Sequence, residues 1–377
     1  MVAPQPNWRG TIHVAIIAQI FSFVIGVDTH AKEHVLSVLR STGELIETKS
    51  FRTNSLAAAI RWATKITSGN LETLWVIEGT ATYGATLAAQ VTAAGYRVVE
   101  AARMNTRAHH AIGKTDVLDS QRIAQAVLPL DESRMRKPRT HNGVLAALQV
   151  LVTAREQMTT QRTANINYLT ALLRQWNFGI DARRPLTNKQ VTTVSQWRPR
   201  KDEDLGIRTA RNDAIRTAKL IVSLSVEIAD NYKEIAALVQ TSLARVLLSE
   251  PGIGPITAAV SFCAWSYKGR LRNEDAFKSL AGVSPIPASS GNTTRYRLNR
   301  GGDRRLNSAL YTATIVREHR DEETRAYILR RTAEGKTRKE IRRCLKTYLA
   351  RKIFRLLNEA AKAETLNELA KKQTLAA

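Results

Sequence analysis

The chain is poor in acid, nearly free of cysteine and without a long apolar run. Its two cysteines, Cys263 and Cys344, are too few for a disulfide framework or a thiolate zinc site. Both read as small core residues, a usage that fits a reducing cytoplasm. The one membrane suspect, residues 14–27, is broken by Gln19 and Ser22 and falls short of the ~18–20 residues that span a bilayer. It runs on into GVDTH rather than into a small-residue cleavage site, so residues 20–27 read as a buried strand and not as a signal peptide. The seven histidines show no H-E-x-x-H spacing, which argues against a zinc hydrolase. A P-loop and a dinucleotide fingerprint are also missing, which argues against an ATP-driven or redox enzyme.

What is present is positive charge. Lys and Arg total 57 against 33 Asp and Glu, a formal net charge of +24. A compact body at that charge repels itself until a polyanion neutralises it, so nucleic acid is the expected partner. The basic stretches carry no long apolar anchor, so a membrane partner is not expected. With 44% apolar residues over 377, the chain can build two or three cores.

Residues 1–19 read as an extension of unknown use. Over 20–135, three strands (FSFVIGVD, EHVLSVLR, LIETKSF) form an antiparallel meander, followed by helix, strand, helix, strand and a helix beginning near Thr115. That is the order expected of a ribonuclease-H-like α/β domain. Residues 142–245 hold two long helices joined by a polar connector, 177–202, with Pro185 and Pro199. In the second helix Ile221, Leu224, Ile228, Ile235 and Leu238 recur at three- and four-residue steps with Asn231 in the seam, which suits an intramolecular hairpin or a coiled coil between protomers. Residues 246–360 form a mainly helical, basic C-terminal domain, and 361–377 an Ala/Lys/Glu-rich tail expected to fray. The fold class is therefore α/β plus all-α.

Four carboxylates stand where chemistry is plausible. Asp28 ends the first strand and Glu78 the fourth, while Asp116 and Asp119 lie three apart, on one helical face. In a ribonuclease-H-like sheet the first and fourth strands are neighbours, so Asp28 and Glu78 would meet. Carboxylates so clustered repel unless cations sit between them, and such oxygen-rich sites suit Mg²⁺ or Mn²⁺. Each has an ordinary alternative: Asp28 as a turn residue, Asp116 and Asp119 as partners of a helix dipole.

Further along, Pro251-Gly252-Ile253-Gly254 resembles a helix–hairpin–helix turn, in which Gly252 and Gly254 let backbone N–H groups approach a phosphate. The same turn would also serve two packed helices. Ser289-Ser290-Gly291 is followed by Arg295, Arg297, Arg300, Arg304 and Arg305 around a Gly-Gly turn, a candidate phosphate cradle beside a hydroxyl. By spacing alone the two serines read as loop residues. The basic stretch 336–355, with Arg342 and Arg343, offers a nucleic-acid face or a solvated helix.

Taken in order, GVDTHAK, IEGT, KTDVLDSQRIA, PGIGPITAA, LAGVSPIPASSG and RLNRGGDRRLNSAL resemble the DEDD-type insertion-sequence transposases, serine recombinases guided by a bridge RNA. The resemblance implies that Asp28, Glu78, Asp116 and Asp119 hold divalent metal and that Ser290, with Ser289 its neighbour, is the nucleophile. It further implies a homo-oligomer (dimer or tetramer) that holds donor and target DNA with a non-coding guide RNA. Two departures, Gly79-Thr80-Ala81 after Glu78 and Ser120 after Asp119, touch no proposed ligand. The alternatives are a junction-resolving endonuclease using metal-activated water and a non-catalytic architectural nucleic-acid-binding protein. Clustered carboxylates speak against the latter.

Overall fold

In the computed structural model the described residues are 15–101, 115–138, 143–287, 296, 297, 299 and 301–376. They fall into two compact units, residues 1–141 and 142–377.

In the first unit β1 (Phe23–Thr29), β2 (Glu33–Arg40) and β3 (Leu45–Arg52) form the meander, β4 (Thr73–Ile77) and β5 (Arg97–Glu100) follow, and the sheet order is β3-β2-β1-β4-β5. β1 pairs antiparallel with β2 and parallel with β4, which pairs parallel with β5. The inner strands are near-continuous apolar runs because both faces are covered. Ile25, Val27, Trp75 and Ile77 pack toward α2 (Leu56–Ile66) and α3 (Ala85–Ala93). Val24, Leu74 and Val76 pack toward Ile123, Ala124 and Val127, the end of α4 (Asp116–Gln125) and the turn after it. β3, at the edge, is largely exposed and correspondingly polar. The strands and helices read from the sequence over 20–135 are all present.

The extension is shorter than the sequence suggests. α1 (Ile17–Ile20) buries Ile17 in the same core as Val24, and the Ile17 amide donates to the Leu130 carbonyl at 2.8 Å. An isolated four-residue turn carries no sequence signature, so only packing reveals it.

In the second unit α5 (Gly143–Gln175) and α7 (Leu205–Gln240) run antiparallel as a hairpin within the chain. Asn231 is satisfied there: its amide donates to the Leu151 carbonyl at 3.0 Å, and Arg155 donates to the Ile228 carbonyl at 2.8 Å. The polar connector also holds a helix, α6 (Asn188–Ser195), which composition alone hides. Its Thr187/Gln190 capping box starts it, and Val191 and Val194 pin it to Leu169, Leu173 and Ile221.

The remaining elements are α8 (Pro255–Trp265), α9 (Glu274–Leu280), the short pair β6 (Ile286–Pro287) and β7 (Tyr296–Arg297), α10 (Arg304–Arg320), α11 (Glu322–Ala333) and α12 (Arg338–Ala376). α8 is buried nearly all round, packed among Leu148, Val239, Leu310, Ala313 and Ile353. α12 continues through the stretch expected to fray, consistent with its strong helix formers.

Candidate functional site

In the first unit the site is built by the approach of α4 to β1. Gly26 makes that approach possible: a Cβ there would collide with the Ser120 carbonyl oxygen and lie 2.7 Å from the Ala124 amide nitrogen. Ser120 is tied to the sheet by a 2.7 Å hydrogen bond shared with Ser37. The N-cap Thr115 accepts from the Leu118 amide at 3.3 Å and starts α4 at Asp116, whose carboxylate suits a helix N-terminus.

Asp28 is 6% exposed. His30 Nε2 lies 3.2 Å from Asp28 Oδ2 and 3.5 Å from Asp116 Oδ2. Burial pushes the Asp28 carboxyl above its usual range, against the pull of His30 and with the repulsion of Asp116 and Asp119. One ligand atom each from Asp28, His30 and Asp116 falls within 4.8 Å of the others, a spacing that could hold a metal ion. Two carboxylates and an imidazole fit a divalent cation, which would offset the repulsion of Asp28 by Asp116 and Asp119.

The four residues singled out from sequence are thus not equally close. Asp28 and Asp116 meet. Asp119, one turn on, is near enough to repel Asp28 and is engaged by Arg122 at 3.3 Å. Glu78 follows β4, its amide donating to the Val27 carbonyl at 3.0 Å and its carbonyl accepting from Thr29 Oγ1 at 3.0 Å. Its exposed side chain lies outside the 4.8 Å group. His30 was missed from sequence. Its signal is the Asp28-Thr29-His30 spacing, in which alternation returns the side chain two residues on to the same face.

In the second unit the motif pieces lock together. Gly282 takes φ +66°, and a Cβ at Gly302 would collide with the Gly282 backbone. The Asp303 amide donates to the Leu280 carbonyl at 2.6 Å, and Asn307 Nδ2 donates to the Ala281 carbonyl at 2.7 Å. The pairs Ile286–Arg297 and Pro287–Tyr296 close a strand pair above this lock. Ser289, Ser290 and Arg295, as well as Arg300, lie outside the described residues.

The cations sort into two groups. Arg305 pairs with Glu156, and Arg342 donates to the buried Glu318 at 2.7 and 2.9 Å, joined by Arg338 at 3.3 Å. Arg351 and Arg355 hold Glu274 down at about 2. Arg297 and Arg304 make no ion pair with a carboxylate among the described residues and are exposed, as is Arg343, whose charge acts on the nearby Glu340. Of the two glycines of the Pro-Gly-Ile-Gly turn, Gly252 has an internal reason: φ +77°, with an added Cβ 2.6 Å from the Ala313 carbonyl of α10. Gly254 faces open space.

Hydrogen bonds from Arg342 hold the Glu318 carboxyl below its usual range. A depressed folded pKa stabilises above the unfolded value and loses that contribution as pH falls through the folded one. Glu318→Gln is therefore expected to cost about 2 kcal/mol at pH 7. The deficit should shrink as the pH falls below the ordinary carboxylate range and through the depressed pKa of Glu318, where wild type loses the same charge. Urea titrations at pH 7 and pH 3.5 read this out, and an equal deficit at both pH values would refute it.

A family model described as "Transposase" matches residues 25–178, and one described as "Transposase IS116/IS110/IS902 family" matches residues 244–329. The insertion element IS900 uncharacterized 42 kDa protein of Mycobacterium paratuberculosis is 26% identical over 365 residues, covering 82% of this chain and 89% of that protein. The insertion element IS116 uncharacterized 44.8 kDa protein of Streptomyces clavuligerus is 26% identical over 323 residues, covering 73% of this chain and 77% of that protein.

Proposed function

We propose that the chain, an insertion-sequence transposase of the IS110/IS116 family, cuts and rejoins DNA through a serine nucleophile assisted by a divalent metal. The observation that carries this reading is the convergence of Asp28, His30 and Asp116 at the ends of β1 and α4. Glu78 and Asp119 complete the acidic set around them. The sheet order β3-β2-β1-β4-β5 supports a ribonuclease-H-like domain. A divalent cation such as Mg²⁺ or Mn²⁺ would supply charge stabilisation at the phosphodiester.

The Ser290 hydroxyl attacks phosphorus. The Oγ–P bond forms, the P–O bond to the departing strand breaks, and that strand leaves as a hydroxyl carrying the serine proton. Attack by another strand's hydroxyl on the phosphoserine reverses the exchange and frees the serine, so the bond energy is conserved without a cofactor. Exposed Arg297, Arg304 and Arg343, with Arg295 and Arg300, stabilise the charge that develops and hold the backbone. The open Gly254 at the start of α8 offers a further backbone contact. A net charge of +24 suits a homo-oligomer that holds a guide RNA together with donor and target DNA. No helix among the described residues is long and apolar enough to cross a membrane.

Covalent trapping tests this. Protein, Mg²⁺, the element's non-coding RNA and labelled junction DNA are run on a denaturing gel. A protein–DNA adduct is expected for wild type and Ser289→Ala and should be lost in Ser290→Ala. Cleavage that persists in Ser290→Ala without an adduct would overturn the serine mechanism in favour of a water-using junction endonuclease.

A further inference from the structure

Lys346 is the anomaly of the second unit. It lies on α12 and is only 8% exposed, yet no carboxylate among the described residues pairs with it. Its neighbours on α12 show the contrast: Arg342 has Glu318, Arg351 has Glu274 and Lys352 has Glu250. One of the three ammonium donors is met, by Asn307 Oδ1 at 3.1 Å. A buried cation without a counter-charge is costly, and a bound anion would offset that cost.

The surroundings say where the anion would sit. Asn307 and Tyr311 of α10 both contact Lys346, whose Nζ is 6.0 Å from the Tyr311 ring centroid. The same two residues line a pocket of about 410 Å³, together with Gly282, Gly302, Arg304 and Ser308. Asn307 Nδ2 donates to the Ala281 carbonyl while its Oδ1 accepts from Lys346, so a lining residue of the pocket ties down the ammonium. Arg304 is exposed there without an acidic partner. Tyr311 Oη accepts from Arg342 at 3.5 Å, which leaves its own proton for a ligand.

We propose that this pocket is a phosphodiester site: Arg304 and the Tyr311 hydroxyl contact one backbone phosphate of a nucleic acid, and Lys346 supplies its counter-charge from behind Asn307. The proposal rests on the reading of the chain as a nucleic-acid-handling enzyme and adds to it a residue, Lys346, whose role is electrostatic. Burial and the nearby Arg343 pull the Lys346 ammonium below its usual pKa range, a strain that a bound phosphate relieves.

The full-length protein is tested as Lys346→Met, which keeps the apolar stem, beside Arg304→Gln and a charge-matched control, Lys233→Met, whose lysine is exposed and paired with Asp230. Binding to labelled DNA and RNA oligonucleotides of one sequence is followed by fluorescence anisotropy across a salt series. Lys346→Met is expected to melt no lower than wild type and to bind roughly tenfold more weakly, with a log–log salt slope reduced by about 1. Arg304→Gln should move in the same direction, while Lys233→Met keeps the wild-type slope. The nucleic acid whose affinity falls identifies the source of the phosphate.

A lower melting temperature with unchanged affinity would make Lys346 merely structural. Should Lys346→Met fail to fold, an unchanged slope in Arg304→Gln overturns the site. Wild-type protein that binds neither nucleic acid would instead bring down the functional reading itself.

Discussion

Gly26→Ala should unseat α4 and lower the stability of the first unit by about 3 kcal/mol or more, a fall of roughly 6–12 °C in melting temperature. The added methyl would meet the Ser120 carbonyl and the Ala124 amide, which are backbone and cannot swing aside as a flexible side chain would. Relief requires the helix to move away from β1. Asp116 and Asp119 ride on that helix, so the proposed metal site opens with it. A displacement near 1 Å at a reacting group costs on the order of 10²-fold in rate, so strand cleavage should fall along with stability. Thermal denaturation and a junction-cleavage assay on the same preparation test both halves. Wild-type melting in Gly26→Ala would mean that α4 does not press on β1 as described.

The second large effect is expected at Asp28, and there stability and activity should part company. Asp28→Asn keeps the shape of the side chain but removes a nearly buried negative charge that faces Asp116 and Asp119. In metal-free buffer the variant should therefore be at least as stable as wild type, since the like-charge repulsion and the desolvation of the carboxylate both disappear. Cleavage should drop by roughly 10²–10³-fold or more, the scale seen when a preorganised electrostatic contact is lost. Added Mn²⁺ at about 100 times its dissociation constant should stabilise wild type by about 2.7 kcal/mol and leave Asp28→Asn unmoved. Scanning calorimetry with and without Mn²⁺ separates the outcomes. If Asp28→Asn still gains stability from Mn²⁺ and still cleaves, the metal is held elsewhere. If it unfolds in metal-free buffer, Asp28 is a structural residue.

The elements of the first unit were legible because each is a local pattern. FVIGVDT and TLWVI are continuous apolar runs that only doubly covered strands require, and both are central in the sheet. The Asp116/Asp119 pair was legible as one helical face because helix geometry repeats without reference to the rest of the chain. His30 was not. A histidine at the end of a strand is unremarkable until the start of α4 arrives 86 residues later in the chain and places Asp116 Oδ2 3.5 Å from its ring. α6 was hidden for the opposite reason: its cap and its two valines are real signals, but they lie in a polar segment whose composition reads as connector.

The arginines make the division sharpest. Composition and spacing alone establish that this protein carries a large excess of positive charge, in which regions it concentrates, and that nucleic acid is its natural counterpart, because net charge is additive and needs no fold. Which cations remain available is another matter. Arg305 is engaged by Glu156, 149 positions away, and Arg342 by Glu318, 24 positions away, whereas Arg304 and the buried Lys346 form no ion pair with an acidic residue among the described residues. Ion pairing depends on distances of a few ångströms between residues remote in the chain, and those distances exist only once the helices have packed.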